Sequence, residues 1–150
     1  MNIEELIKTT NQLPESRRLI LNLTVTANHT NEKLAEALKP FDVSLPQFNV
    51  LRILRGQKGN PANLCTIQER MVAKMSNTTR LVDKLISKGL AKRTVCAKNR
   101  RKIEIFITDE GLEILKKIDP VIDSTEKDLT ANLDEDELKI ANKLMNKLRG

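Results

Sequence analysis

Apolar residues recur along this chain with two different periods. Leu19, Leu23, Ala27, Leu34 and Leu38 keep helical spacing near the N-terminus. Phe48, Leu51 and Leu54, with Val50 and Ile53, do so next, followed by Leu81 and Leu85 with Val82 and Ile86. Leu112, Leu115, Ile118 and Ile122 form a fourth stripe, and Leu138, Ala141, Leu144, Met145 and Leu148 a fifth. Spacing near 3.6 residues predicts amphipathic helices. Between the third and fourth stripes the period drops to two. Ile103, Ile105 and Ile107 alternate with Glu104 and Phe106, which predicts a strand. Paired with the residues from Ala91 onward, it makes a two-stranded hairpin over 91–107.

Helix punctuation sharpens this outline. Ser44-Leu45-Pro46-Gln47 has the spacing of a capping box, with Val43 and Phe48 at the staple positions and Pro46 tolerated in the first turn. The run Gly56-Gln57-Lys58-Gly59-Asn60-Pro61 ends that helix. A second box, Thr66-Ile67-Gln68-Glu69, predicts a short helix reaching about Met71, and Ser76 predicts the cap of a longer one that Gly89 ends. Asp134 caps the last helix, with Glu135, Asp136 and Glu137 in its first turn and Lys147 and Arg149 near its end, a polarity that suits the macrodipole. Pro120 is expected to kink or break the penultimate helix.

A short helix, a turn of about four residues and a longer helix have the spacing of a helix-turn-helix unit. The longer helix would present Asn77, Thr78, Thr79, Arg80 and Lys84 away from its apolar stripe. Asn can bond an adenine edge, Thr a base or a thymine methyl, and Arg a guanine or a phosphate. On its own this spacing is a weak signal, but a hairpin directly afterwards makes it a winged helix-turn-helix.

Charge follows the same layout. Residues 1–40 hold 5 Lys/Arg and 5 Asp/Glu, residues 41–108 hold 14 and 4, and residues 109–150 hold 7 and 11, so the +6 of the whole chain hides a middle of +10. From Ala91 to Lys102 there are six cations (Lys92, Arg93, Lys98, Arg100, Arg101, Lys102) and no acid. Such segregation points to a polyanion, whose condensed counterions bound cations release. A merely solvated charged face is the plainer reading. Three Phe and neither Tyr nor Trp argue against stacking platforms for single strands. No apolar run approaches a membrane span, and the N-terminus lacks a signal pattern. Two isolated cysteines fit a reduced, cytosolic protein.

These motifs resemble the MarR family of bacterial and archaeal transcription regulators. The resemblance rests on Ser44 to Leu51, the run Ser76 to Leu85, Lys88-Gly89-Leu90-Ala91-Lys92-Arg93, the tip Asn99-Arg100-Arg101, and Ile107-Thr108-Asp109-Glu110-Gly111. It covers roughly residues 40–112. It implies a cytoplasmic homodimer on pseudo-palindromic double-stranded DNA, often relieved by a small ligand or an oxidant. In that family the tip usually carries Asp-x-Arg, the acid orienting a minor-groove arginine. Asn99 stands here in the acid's place and Arg101 in the arginine's; Asn can bond a guanidinium through its carbonyl but brings no charge.

The expectation is therefore a mainly α chain with a small β-hairpin wing, one unit over 1–150. Residues 41–108 form the winged helix-turn-helix, and residues 1–40 and 109–150 supply dimerisation helices. The stripe from Leu138 to Leu148 must bury either on the first helix or on a second copy; the two-copy arrangement is the reading adopted, largely on the resemblance. Ser76, Asn77, Thr78, Thr79, Arg80 and Lys84 form the expected DNA-binding set on the recognition helix. Lys98, Asn99, Arg100, Arg101 and Lys102 form the one on the wing. Arg101 with Arg100 would enter the minor groove, while Lys84, Lys98 and Lys102 would hold phosphates.

Further chemistry finds little support. His29, the only histidine, has no ligand partners at metal spacing, and the acids from Asp134 to Glu137 lack the oxygen spacing and glycine of a metal loop. No phosphate loop, nucleophile elbow or carboxylate pair suggests an enzyme, and no cofactor or metal is expected. Cys96 lies among Lys92, Arg93 and Lys98, cations that would favour its thiolate, and this leaves room for a redox-sensing regulator. Cys65 is expected to be a small buried residue. Two rival functions compete with the regulator. One is a winged-helix adapter that docks an acidic protein without DNA, and the second is a ligand-binding protein or enzyme with its cavity between the wing domain and the dimer helices.

Overall fold

A computed structural model describes all of residues 1–150. It contains seven α-helices and one antiparallel hairpin, in the order α1 (Ile3–Leu6), α2 (Glu15–Leu38), α3 (Leu45–Gly56), α4 (Leu64–Arg70), α5 (Thr78–Ser87), β1 (Ala91–Cys96), β2 (Asn99–Ile107), α6 (Asp109–Leu129) and α7 (Glu135–Arg149). A single turn of 3-10 helix, Lys39–Phe41, links α2 to α3. No helix is long and apolar enough to cross a membrane.

The capping chemistry acts largely as expected. Gln47 N donates to Ser44 Oγ and Ser44 N to Gln47 Oε1, each at 3.2 Å, and Val43 and Phe48 are both buried. Asp134 and Glu137 form the same reciprocal pair at the start of α7. Gly89 has φ +73°, the left-handed conformation that a glycine enters cheaply. Two caps differ from expectation. The short helix begins at Leu64, because Asn63 rather than Thr66 caps it, accepting from Thr66 N at 2.8 Å. The next helix is capped by Asn77, not Ser76: Asn77 Oδ1 accepts from Arg80 N at 3.1 Å. The intervening turn thus runs from Met71 through Asn77. The short α1 had no apolar stripe to announce it; Asn2 and Glu5 cap it reciprocally, and it buries Ile3.

Pro120 does not break α6, which continues through it from Asp109 to Leu129. Its ring is exposed, while Ile118 and Ile122 on the opposite face are buried. Arg55 of α3 also grips Asp119 through two hydrogen bonds, at 2.6 and 3.3 Å. Packing on one face thus carries the helix across the missing amide hydrogen.

At the centre lies α3, which touches α2, α4, α5, α6 and β2. Phe48, Val50, Leu51 and Leu54 of α3 join Ile67, Val82, Leu85, Ile105, Leu115 and Ile118 in one buried cluster. The strands pair from Ala91↔Ile107 to Val95↔Ile103, then slip by a bulge so that Cys96 faces Asn99. Ala62, ahead of α4, bridges Ile105 through reciprocal backbone bonds of 2.9 and 2.8 Å. The outer helices are different. Only Leu38 of the 24 residues in α2 is buried, and α7 buries none.

Candidate nucleic-acid interface

The first turn of α5 combines polar residues with three distinct environments. Asn77 spends its carbonyl oxygen on the cap. Thr78 is buried, and its hydroxyl donates to Gln68 Oε1 of α4. That bond helps set α4 against α5, so Thr78 leaves the expected reading set: a threonine in the helix interface cannot also present its hydroxyl to a base. Thr79, Arg80 and Lys84 are exposed, and Ser76 is half-buried. The exposed face of α5 is therefore Thr79, Arg80, Asp83, Lys84 and Ser87, approached through Asn77.

The wing is tied to this helix. Arg93 of β1 pairs with Asp83 of α5, which braces the hairpin against the helix and gives one of the six wing cations an internal partner. At the tip, Lys98, Asn99, Arg100, Arg101 and Lys102 are all exposed. Asn99 Oδ1 accepts from the backbone N of Arg101 at 3.1 Å, so Asn99 shapes the tip through main chain rather than by gripping the guanidinium. Arg101 borders a groove shared with Asn63, the cap of α4, with Cys65 of α4 and with Ile103. Sequence carries no signal for the Arg93–Asp83 contact, since ten residues and the turn at the end of α5 separate the partners. Lys88, just past α5, is likewise committed: Nζ donates to the backbone carbonyl of Asp42 and, at 3.1 Å, to Gln47 Oε1.

Cys65 is exposed, contrary to expectation, because the earlier start of α4 places it on the outer side of the first turn. Its thiol donates to Glu69 Oε1 at 3.5 Å, and this bond, with the Glu69 charge, pushes its pKa above the ordinary thiol value. Cys96 is half-buried at the bulge. His29 is exposed on α2, beside Lys33 and Asp128. No three His, Cys, Asp or Glu side chains gather closely enough to hold a metal ion.

Comparison with known proteins agrees with this geometry. The HTH-type transcriptional regulator YfiV of Bacillus subtilis (strain 168) is 33% identical over 75 residues, which is 50% of this chain and 46% of that one. The chain thus matches about half the length of this relative. A mutant E. coli MarR complexed with operator DNA has the same fold at TM-score 0.76 and 24% identity, over 84% of this chain and 89% of that one. Bordetella bronchiseptica BpsR, whose DNA binding is regulated by 6-hydroxynicotinic acid, superposes at TM-score 0.80 and 16% identity, covering 93% and 98% of the two chains. The family model for the MarR family matches residues 43–103, from the cap of α3 into the wing. The helix-turn-helix and most of the wing thus fall in the part of this chain that matches the MarR family model, and the chain as a whole is similar in fold to E. coli MarR.

Proposed function

We propose that the chain is a transcription regulator that binds a pseudo-palindromic operator in double-stranded DNA as a homodimer, acting as a repressor. The observation that carries this is the joining of α5 to a cation-tipped wing by the Arg93–Asp83 pair, with Thr79, Arg80, Lys84 and the tip residues all exposed. In this reading Thr79 and Arg80 meet base edges in the major groove, with Ser76 and Asn77 at the entering end of the helix. Arg100 and Arg101 take the flanking minor groove, Lys84, Lys98 and Lys102 hold phosphates, and Asn99 shapes the tip. The binding of operator DNA by the E. coli relative supports the partner.

Residues 1–150 form one unit in this proposal, with 1–40 and 109–150 as dimerisation segments. Ile140, Leu144 and Leu148 of α7 are 57%, 54% and 49% exposed, and Leu19 and Ile20 of α2 are 43% and 56% exposed. Such a stripe gains about 1.5–3 kcal/mol for each side chain fully buried, and a two-fold copy of itself offers a matching surface. A small effector that favours one dimer spacing over another would release the operator, in line with the regulation of BpsR. A cytoplasmic location accompanies this role.

Selection of bound duplexes from a random pool, followed by a salt titration, tests the proposal. The expected product is a two-fold symmetric sequence with half-sites about one helical turn apart, bound with an affinity that falls steeply as salt rises. A chain that stays monomeric and enriches no duplex at low salt would overturn it. A basic wing acting only as a protein adapter would give the same null.

A further inference from the structure

The turn between α4 and α5 exposes two large apolar side chains to an unusual degree. Met75 is 98% exposed and Val72 84%; apart from Met1, no other large apolar residue exceeds 58%. Slackness of the backbone does not explain it. Met71 is buried, Gln68 Nε2 donates to the carbonyl of Lys74, Lys74 Nζ donates to the carbonyl of Glu69, and Ser76 N donates to Ala73 O at 3.1 Å. Met75 therefore projects from a tethered turn, two residues before the Asn77 cap.

Scattered exposed apolar residues need no explanation, but the setting of Met75 is specific. Its chain neighbours are Lys74 and Ser76, and Arg80 lies one turn into the helix that follows. An apolar protein groove closing over Met75 would desolvate those cations without matching their charge. A duplex supplies both needs together, phosphates for the cations and one apolar group on a base edge. In the major groove that group is the C5-methyl of thymine. The N-terminal end of a recognition helix is the end that approaches base edges, and the unbranched methionine side chain adapts readily to a small apolar target. Resting on the assignment of α5 as the recognition helix, we infer that Met75 is a specificity-determining residue that packs against the methyl group of a thymine in each half-site.

The test uses the full chain and the duplex it selects from a random pool. Each thymine of a half-site is replaced singly by uracil, which removes only the methyl. One replacement should weaken the parent about 3- to 5-fold, the worth of one buried methyl. Met75→Ala should weaken binding to the thymine duplex by a similar factor, and the two losses should not add, so that parent and variant bind the uracil duplex equally. Met75→Leu should keep most of the thymine preference. Since the side chain is almost wholly exposed, neither variant should change the melting temperature. If no uracil replacement weakens the parent, or if the Met75→Ala loss persists undiminished on every uracil duplex, the inference fails while the DNA-binding assignment stands. Failure of the parent to select any duplex would remove both.

Discussion

Gly111 marks the closest approach of α6 to the root of the wing. A Cβ there would overlap the carbonyl oxygen of Leu90 and lie 2.7 Å from Ile107 Cγ1. Around it, the Thr108 hydroxyl donates to Gly89 O at 2.7 Å and accepts from Gly111 N at 3.1 Å, so the backbone has little room to retreat. Gly111→Ala should destabilise the chain by about 1–3 kcal/mol in chemical denaturation, although alanine is the better helix former. Unchanged stability would show that the α6 start is free to shift. At Cys65 the sign follows from Glu69, which holds the thiol protonated to higher pH. Glu69→Gln should lower the thiol pKa and speed alkylation of Cys65 at mildly alkaline pH. An equal or slower rate would rule out the Glu69 contact.

Within elements, local chemistry was readable where it involved neighbours in the chain. The boxes at Ser44 and Asp134 and the stop at Gly89 depend on groups three or four residues apart, so sequence and structure agree there. Ser76 and Thr66 misled because each has a competing Asn nearby, Asn77 and Asn63, and tertiary packing decides which one caps. Thr78 misled for a similar reason. Its place on α5 was clear, but its hydroxyl turns to Gln68 of the preceding helix. Pro120 shows tertiary contacts overriding propensity. Because its ring is exposed and the helix is unbroken around it, Pro120→Ala should restore one amide donor without disturbing the core. The variant should be more stable by about 1–3 kcal/mol to urea. A loss of stability would mean that the proline sets a curvature on which α6 packing depends.

For the molecule as a whole, the order of elements and the concentration of charge in residues 41–108 were apparent from periodicity and residue counts. Contacts that lock α5 to the wing, and α3 to α6, were not, because they join residues distant in the chain. The exposed stripe on α7 belongs to this scale too, since the role proposed for it would need a second copy. If it is the contact between two copies, Leu144→Glu should shift the chain to monomer in sedimentation or light scattering and weaken operator binding at least 10-fold. A dimer that survives this change would place the contact elsewhere.

The backbone bridge from Ala62 to Ile105 divides the hairpin into unequal parts. Below it, the strands are stapled to the body of the molecule. Beyond it, the bulge at Val95 and Cys96 leaves the cationic loop as a short cantilever. If the wing lies against DNA as proposed, its arginines are carried outboard of the staple, where a change in their position disturbs few contacts with the core.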